Sequence, residues 1–211
     1  MILYGGKSNP IIKKVMVFID GGYIRKKVFE KYNKDTLDYQ KFGQFLSMNY
    51  PAISRGNIDL IRINYYDGMP SLDDLEKFKN ETPENLKKRE EKIKERIEIQ
   101  KKYLDKISMT NNCDVKKGRL VMKGDLSFEQ KGTDTKIATD MISKAYLGQY
   151  DVAILVTSDT DFIEVIEEVK TAGAIVVGAY FSDGMPSELL HAFDIRMPLD
   201  PYQLDSNGMF S

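Results

Sequence analysis

Four aspartates of this sequence have the type and spacing to act together as metal ligands: Asp20, Asp134, Asp159 and Asp161. A cluster of carboxylates offers only oxygen atoms, which Mg²⁺ and Mn²⁺ accept more readily than Zn²⁺ does. Without a cation, neighbouring carboxylates would repel one another, and some of them would bind a proton. The four residues come from three separate segments, so this interpretation requires a fold that brings those segments to one rim.

The remaining residue types leave little room for other catalytic chemistry. The chain of 211 residues contains one histidine, His191, and one cysteine, Cys113. A single cysteine cannot form a disulfide within the chain, and the two residues cannot supply a structural zinc site or chemistry that needs two imidazoles. We expect His191 to be a packed or capping residue and Cys113 to be incidental, so any catalysis would depend mainly on carboxylates.

The elements that must position these aspartates alternate between apolar strands and amphipathic helices. Continuous apolar runs predict buried parallel strands over 15–19 and 152–157, which end at Asp20 and just before Asp159. Further strands are predicted over 58–66 and 174–180, and helices over 82–108, 134–147, 162–171 and 186–193, with one more directly after the first strand. This alternation predicts an α/β domain with a mainly parallel central sheet and helices on both faces. In such sheets, ligands bind beyond the carboxyl ends of the strands.

The apolar faces of two helices give more specific expectations. The helix after the first strand should carry Ile24, Val28 and Phe29 on one apolar face. In its own helix, Asp134 is in line with the stripe that faces the core, so we expect it to point toward the sheet edge. Asp140 lies roughly 9 Å further along that helix and is better explained as a structural hydrogen-bond acceptor than as a metal ligand.

Each aspartate also has a purely structural explanation. Asp20 precedes two glycines and can be a turn residue, Asp159 can cap the helix that follows it, and Asp134 can complement a helix dipole. Three independent structural roles would place these residues on one sheet edge only by coincidence. Their joint placement therefore favours a common site.

The net charge of −1 conceals an uneven distribution. Residues 150–211 carry two basic and eleven acidic residues, a net charge of −9, whereas residues 1–149 carry a net charge of +8. The long helix has a basic outer face, and residues 115–130 contain two short β-prone stretches around Gly124 and Asp125 that predict a hairpin arm. An acidic metal site beside a basic surface for a polyanion would produce this asymmetry, although chance clustering of solvated charges explains it equally well.

The sequence contains no sign of a membrane segment. No stretch approaches the roughly 20 apolar residues that a membrane span needs. The first residues also lack the basic segment, apolar run and cleavage site of a secretory signal. We therefore predict a cytoplasmic protein without a membrane partner, and the sequence leaves homo-oligomer formation open.

Four segments of the chain resemble one known family. They are VFIDGGYI over 17–24, NYYDGMP over 64–70, QKGTDTKIATDMISKA over 130–145, and YDVAILVTSDTDFIEVIEEVKTAGAIVVGAYF over 150–181. In order and approximate spacing they are similar to the NYN domains of LabA-like proteins, which are part of the PIN-like nuclease superfamily. The resemblance covers 15–200, with the long helix and hairpin arm over 82–130 inside it. It leaves an N-terminal extension over 1–14 and a C-terminal tail over 201–211.

The resemblance implies a Rossmann-like three-layer α/β/α sandwich and a ribonuclease that depends on Mg²⁺ or Mn²⁺. Carried over by position, the metal-binding and catalytic acids are Asp20, Asp134, Asp159 and Asp161, and Asp140 is a lesser candidate for the metal. Tyr23 stands where many relatives carry asparagine.

An RNA substrate would need contacts to its phosphates and bases. Basic residues of the long helix and of the arm are candidates for the phosphates, among them Lys116, Lys117, Arg119, Lys123 and Lys131. Lys131 is the first choice because it lies beside the acidic motif. Tyr23, Tyr65 and Tyr66 can stack on bases, although tyrosines next to strands are more often core residues.

Two functions besides RNA hydrolysis remain open from the sequence. The first is a non-catalytic RNA- or protein-binding module, which the tyrosine at position 23 favours. The second is a haloacid-dehalogenase-like phosphatase, since Asp20 ends a first strand and a late Asp-x-Asp follows. That family needs a second aspartate two residues after the nucleophile, where this chain has Gly22. We therefore rank the phosphatase last.

Overall fold

The apolar segments form one seven-stranded sheet within residues 12–34, 37–49 and 57–210, which the computed structural model describes. The elements are β1 (Ile12–Asp20), α1 (Gly21–Tyr32), α2 (Tyr39–Met48), β2 (Asn57–Pro70), α3 (Pro83–Ser108), β3 (Cys113–Met122), β4 (Phe128–Lys131), α4 (Thr133–Tyr146), β5 (Val152–Val156), α5 (Ile163–Thr171), β6 (Ile175–Tyr180), α6 (Ser187–Ala192), β7 (Ile195–Pro198) and α7 (Pro201–Ser206). Short 3-10 helices span Leu72–Phe78 and Thr160–Phe162. None of the helices in these ranges is long and apolar enough to cross a bilayer.

The order of the strands places β1 at the centre of the sheet. The order is β4-β3-β2-β1-β5-β6-β7, and the neighbours pair in parallel except for β3 and β4, which are antiparallel. From β1 the chain first builds the sheet toward β2 and later returns to add β5 on the other side. Strand order thus reverses between β1 and β5, and ligands bind beyond the carboxyl ends of strands at such a point.

Helices cover both faces of this sheet. On one face, residues of β1 such as Val17 and Ile19 pack with Ile24 of α1, Phe42 of α2 and Leu104 of α3. On the other face, Met16 and Phe18 of β1 pack with residues of α4, α5 and α6. Because β1 is apolar on both faces, its sequence is a continuous apolar run. The predicted α/β/α sandwich with a mainly parallel sheet is confirmed.

Several local expectations differ from the structure. Helix α2, β7 and α7 were not predicted, and residues 205–210 were expected to be a loose tail, but Met209 is buried in the core. The hairpin expected around Gly124 is present as β3 and β4. Phe29 was placed on the buried face of α1, yet it is 56% exposed, whereas Ile24 and Val28 are buried as expected. Most of the predicted N-terminal extension, residues 1–11, lies outside the described residues.

Helix α1 begins directly against β2, and only glycine permits this close approach. A Cβ atom at Gly21 would lie 2.5 Å from the backbone oxygen of Tyr66 and 2.6 Å from the side chain of Tyr65. Real Cβ atoms do not approach other atoms so closely, so a larger residue would push α1 away from the sheet. Gly21 therefore fixes the first turn of α1 at the carboxyl end of the strands.

Candidate active site

An open cleft of about 510 Å³ lies beyond the carboxyl ends of β1 and β5. Three of the predicted acids line it: Asp20, Asp134 and Asp159. The other lining residues are Gly22, Tyr23, Lys26, Gln130, Thr157, Ser158, Thr160 and Pro186. Since strand order reverses between β1 and β5, the acids meet where an α/β sheet is expected to bind its ligand.

Asp20 ends β1 and caps the N-terminus of α1. Its Oδ1 accepts hydrogen bonds from the backbone N–H groups of Gly22 (3.0 Å) and Tyr23 (3.2 Å), which hold the carboxylate in place. Burial raises the pKa of Asp20 to about 6, against the opposing effect of these two hydrogen bonds. The negative charges of Asp134 and Asp67 raise this pKa further. Asp20 is thus a carboxylate whose charge the surrounding protein does not neutralise.

Asp159 and Asp161 occupy the turn that follows β5. Oδ1 of Asp159 accepts a hydrogen bond from the backbone N–H of Asp161 (3.0 Å) and thereby caps the 3-10 helix Thr160–Phe162. The backbone N–H of Asp159 in turn donates to Oγ1 of Thr157 (3.2 Å). The capping role considered from the sequence is therefore real for Asp159, and it fixes the carboxylate in the cleft. Asp161 is exposed and lies outside the residues that line the cleft.

Asp134 lies in the first turn of α4, on the opposite wall of the cleft. It is more exposed than its alignment with the apolar stripe suggested. Partial burial and the negative charges of Asp159 and Asp161 raise its pKa. The negative charge of Asp161 therefore acts on Asp134, although the side chain of Asp161 does not line the cleft.

The carboxylates of this site are not held in ion pairs and fit a hydrated divalent cation. Within the described ranges, none of the four aspartates forms an ion pair with a basic side chain. The same ranges contain no group of three acidic, histidine or cysteine side chains close enough together to enclose a metal ion. Mg²⁺ does not need such an enclosure, since it keeps several water molecules and binds through one or two carboxylates. The all-oxygen donor set in an open cleft suits that mode of binding.

Asp140 has structural partners away from the cleft. It accepts a hydrogen bond from the hydroxyl group of Tyr66 (2.8 Å) and lies 3.6 Å from Nζ of Lys116. Tyr66 is fully buried, so this hydrogen bond anchors the middle of α4 to the end of β2. Asp140 therefore acts as a structural hydrogen-bond acceptor.

The basic arm residues predicted to contact RNA lie on β3 and β4, except Lys123, which lies in the turn between them. Four of them have acidic neighbours: Lys116 pairs with Asp140, Arg119 with Asp74, and both Lys123 and Lys131 with Glu129. Lys117 is exposed on β3. From this arm it is Gln130 that lines the cleft.

The three tyrosines considered for base stacking have different positions. Tyr23 lines the cleft, and its hydroxyl group accepts a hydrogen bond from the backbone N–H of Phe181 (3.0 Å). Tyr65 and Tyr66 are fully buried, so the suggestion that they stack on bases is wrong. They lie within β2 in the core, which is the alternative that the sequence favoured.

The two residues set aside from the sequence lie away from the cleft. His191 is exposed on α6, where its Nδ1 lies 2.6 Å from the backbone oxygen of Ser187. Cys113 is partly buried at the start of β3, and burial raises the pKa of its thiol to about 12. A thiol with such a pKa is not a nucleophile at neutral pH.

Sequence reasoning missed a buried acid at the same edge, Asp67. It is completely buried near the end of β2 and accepts hydrogen bonds from the Tyr65 hydroxyl group (3.2 Å) and the Gly68 backbone N–H (2.7 Å). Its Oδ2 also lies 3.3 Å from Nη1 of Arg25 on α1. The rule that singled out Asp20, an acid at a strand end, applies to Asp67 as well. The turn residues that follow it concealed this signal.

Substitution of Asp20 by asparagine is expected to stabilise the metal-free protein at neutral pH. The folded-state pKa of Asp20 lies above the unfolded value, so its ionisation destabilises the fold as pH rises from about 4 to above 6. Asparagine keeps the cap but carries no charge. Urea unfolding in EDTA should give Asp20→Asn a free energy of unfolding about 1–3 kcal/mol higher at pH 7.5, and no gain near pH 4. An equal difference in the free energy of unfolding between variant and wild type at both pH values would contradict this explanation.

Comparison with known proteins places this geometry in a family. The family model of the NYN domain matches residues 14–200. Among curated proteins, none matches the chain significantly. A crystal structure of a protein of unknown function from Vibrio parahaemolyticus resembles it with a TM-score of 0.59 at 16% identity, over 90% of this chain and 94% of that one. At this identity the likeness shows the fold alone. The family match covers most of the sequence, and the chain therefore belongs to the NYN domain family of the PIN-like nuclease superfamily.

Proposed function

We propose that this protein is a ribonuclease that hydrolyses RNA phosphodiester bonds with the help of Mg²⁺ or Mn²⁺. The observation that carries this proposal is the cleft in which Asp20, Asp134 and Asp159 meet with uncompensated charge, at the reversal of strand order in an NYN domain. The NYN family belongs to a superfamily of nucleases, which supports RNA as the substrate class.

The carboxylates of the cleft have distinct roles in this proposal. Asp20 and Asp159 are each held by backbone N–H groups, so they are suited to keep a cation at a fixed position, with Asp134 facing them. When bound, the ion supplies an activated water and stabilises negative charge on the phosphate. Asp161 follows Asp159 by two residues and its negative charge acts on Asp134, so we assign it the proton that the attacking water releases.

A second candidate is a module that binds RNA without cleaving it. The observation that favours it is Tyr23, which lines the cleft at the position where many relatives carry asparagine. Its hydroxyl group accepts a hydrogen bond from the Phe181 backbone, which fixes the ring, and a phenol lacks the carbonyl and NH₂ pair with which an amide side chain orients a water molecule. The phosphatase is not retained, because Gly22 stands where that family needs a second acid, and its backbone N–H donates a hydrogen bond to the Asp20 carboxylate.

RNA cleavage by the purified protein is expected in Mg²⁺ or Mn²⁺ and not in EDTA. Labelled single-stranded RNA would be incubated with the protein under each condition and separated on a denaturing gel, with DNA of the same sequence as a control for substrate class. Undiminished cleavage in EDTA would contradict the role of the metal. RNA binding without cleavage in both metals would favour the binding module instead.

Several finer statements accompany this proposal. We retain the basic residues of the arm as phosphate contacts, with Lys131 first. A domain over 15–200 and a location in the cytoplasm also remain predictions. Fluorescence microscopy of the tagged protein in its own cells would test the location.

A further inference from the structure

A second cleft, of about 520 Å³, lies between α1 and α3. Its charged lining residues are all basic: Arg25, Lys26, Lys34 and Arg96. The remaining lining residues are Gly22, Phe29, Ile99 and Tyr103. We call it the basic cleft. It adjoins the aspartate cleft, because Gly22 and Lys26 line both.

Acidic residues within the described ranges compensate only part of the positive charge of the basic cleft. Arg25 pairs with Asp67, and Lys26 lies 4.0 Å from Glu30. Arg96 is different, because its Nε is buried and has no hydrogen-bond acceptor among the described residues. A buried donor without an acceptor destabilises a fold, and the guanidinium of Arg96 also lacks a counter-ion among the described residues, so an anion in the cleft would balance its charge. Arg25 adds positive charge beside Arg96, which Asp67 offsets in part.

The same cleft exposes apolar side chains that the fold does not cover. Phe29 is 56% exposed and Ile99 is 52% exposed, although both belong to helices that pack on the core. The apolar face predicted for α1 included Phe29, and its exposure leaves an aromatic ring beside four cations. A positively charged groove with accessible aromatic rings is the arrangement that binds single-stranded nucleic acid.

We propose that the basic cleft binds a segment of single-stranded RNA next to the bond that is cleaved. Arg96, Lys26 and Lys34 contact phosphates, and Phe29 stacks on a base. This inference rests on the proposed function and extends it, since it assigns the path by which the strand reaches the aspartates. Lys26, which borders both clefts, marks the point where the strand passes from one to the other.

Substitution of Arg96 by methionine tests the phosphate contact. Methionine preserves much of the apolar stem but removes the charge and the unpaired Nε, so the melting temperature should not fall. Binding of a fluorescein-labelled oligouridylate, measured by anisotropy in EDTA, should weaken about 5- to 10-fold at low salt. The slope of log K against log salt concentration should become shallower by about 0.7, the value for one phosphate contact on a single strand.

Lys101 provides a matched control on the same helix. It is exposed and lies about 140° around α3 from Arg96, and Lys101→Met removes the same unit of charge. Its RNA affinity should stay within about twofold of the wild type, since distant exposed charges are screened. An equal loss in both variants would overturn the inference and assign binding to the general charge of the helix.

Phe29→Ala and Lys26→Met complete the test. Phe29→Ala should weaken binding about 10-fold with an unchanged salt slope, because stacking is not an ionic contact. Lys26→Met should lower the RNA affinity and the salt slope together, and this exposed residue can be replaced without loss of folding.

If the wild type cleaves RNA but all three variants, at Arg96, Phe29 and Lys26, bind it normally, only the assignment of the basic cleft is wrong. If the wild type neither binds nor cleaves RNA, the proposed function fails as well.

Discussion

Replacement of Asp159 by asparagine is expected to reduce metal-dependent RNA cleavage by about 100- to 1,000-fold. Asparagine keeps an oxygen that can accept the hydrogen bond from the Asp161 backbone, so the 3-10 helix stays capped. The change removes one of the negative charges that attract the cation. Initial cleavage rates in Mg²⁺ and Mn²⁺, together with melting temperatures, would separate loss of activity from loss of folding. Asp20→Asn should give a comparable loss for the same reason.

Asp200 is a matched control for this experiment. It caps α7 by accepting a hydrogen bond from the Tyr202 backbone (2.9 Å), much as Asp159 caps its own helix, but it does not line the cleft. The Asp200→Asn variant should therefore cleave RNA at the wild-type rate. Full activity of both Asp159→Asn and Asp20→Asn would place the reaction outside the aspartate cleft. A parallel loss in Asp200→Asn would point to general damage.

Replacement of Asp67 by alanine is expected to destabilise the fold by about 3 kcal/mol. Asp67 is completely buried and accepts from Tyr65 and Gly68 while pairing with Arg25. Its removal leaves the buried Gly68 N–H without this acceptor, the Tyr65 hydroxyl with only a long hydrogen bond to Tyr103 (3.4 Å), and Arg25 without its counter-ion. Unfolding in guanidinium chloride would measure the loss. Asp67→Asn should lose less, because the amide oxygen still accepts a hydrogen bond.

Asp59 on the same strand is the control for the Asp67 variant. It is exposed, so Asp59→Ala should change the free energy of unfolding by no more than about 0.5 kcal/mol. A loss below about 1 kcal/mol in Asp67→Ala would show that water replaces the missing carboxylate, and the buried network would then not be a main support of the fold.

The position of the aspartate cleft follows from the sequence through one general rule. The apolar runs before Asp20 and Asp159 mark two buried strands, and parallel strands end at the same edge. Local patterns therefore suffice to bring these two residues together. The prediction for the side chain of Asp134 was less accurate. The periodicity of a helix shows which face is apolar, but not how far the first turn of the helix extends beyond the sheet.

The basic cleft depends on information that no local pattern contains. Arg25 and Arg96 lie on α1 and α3, and their proximity results from the way in which two helices pack on one face of the sheet. The exposure of Phe29 has the same origin: its spacing from Ile24 and Val28 is typical of a buried position, but none of the described helices and strands covers it. Asp67 was likewise missed, because the residues after it resemble a turn and its ion-pair partner, Arg25, lies on α1.

The central place of β1 has a consequence for how the protein acquires activity. Ile19 pairs with Val156, almost two thirds of the chain further along, so the two strands that carry Asp20 and Asp159 join only after most of the chain is present. During synthesis, β1 paired with β2 alone would present an open apolar edge that can associate with other chains. Formation of the β1–β5 pair removes this edge and completes the acidic cleft in the same event. A nascent chain of this protein therefore has neither the complete cleft nor a covered β1 edge until β5 has been added.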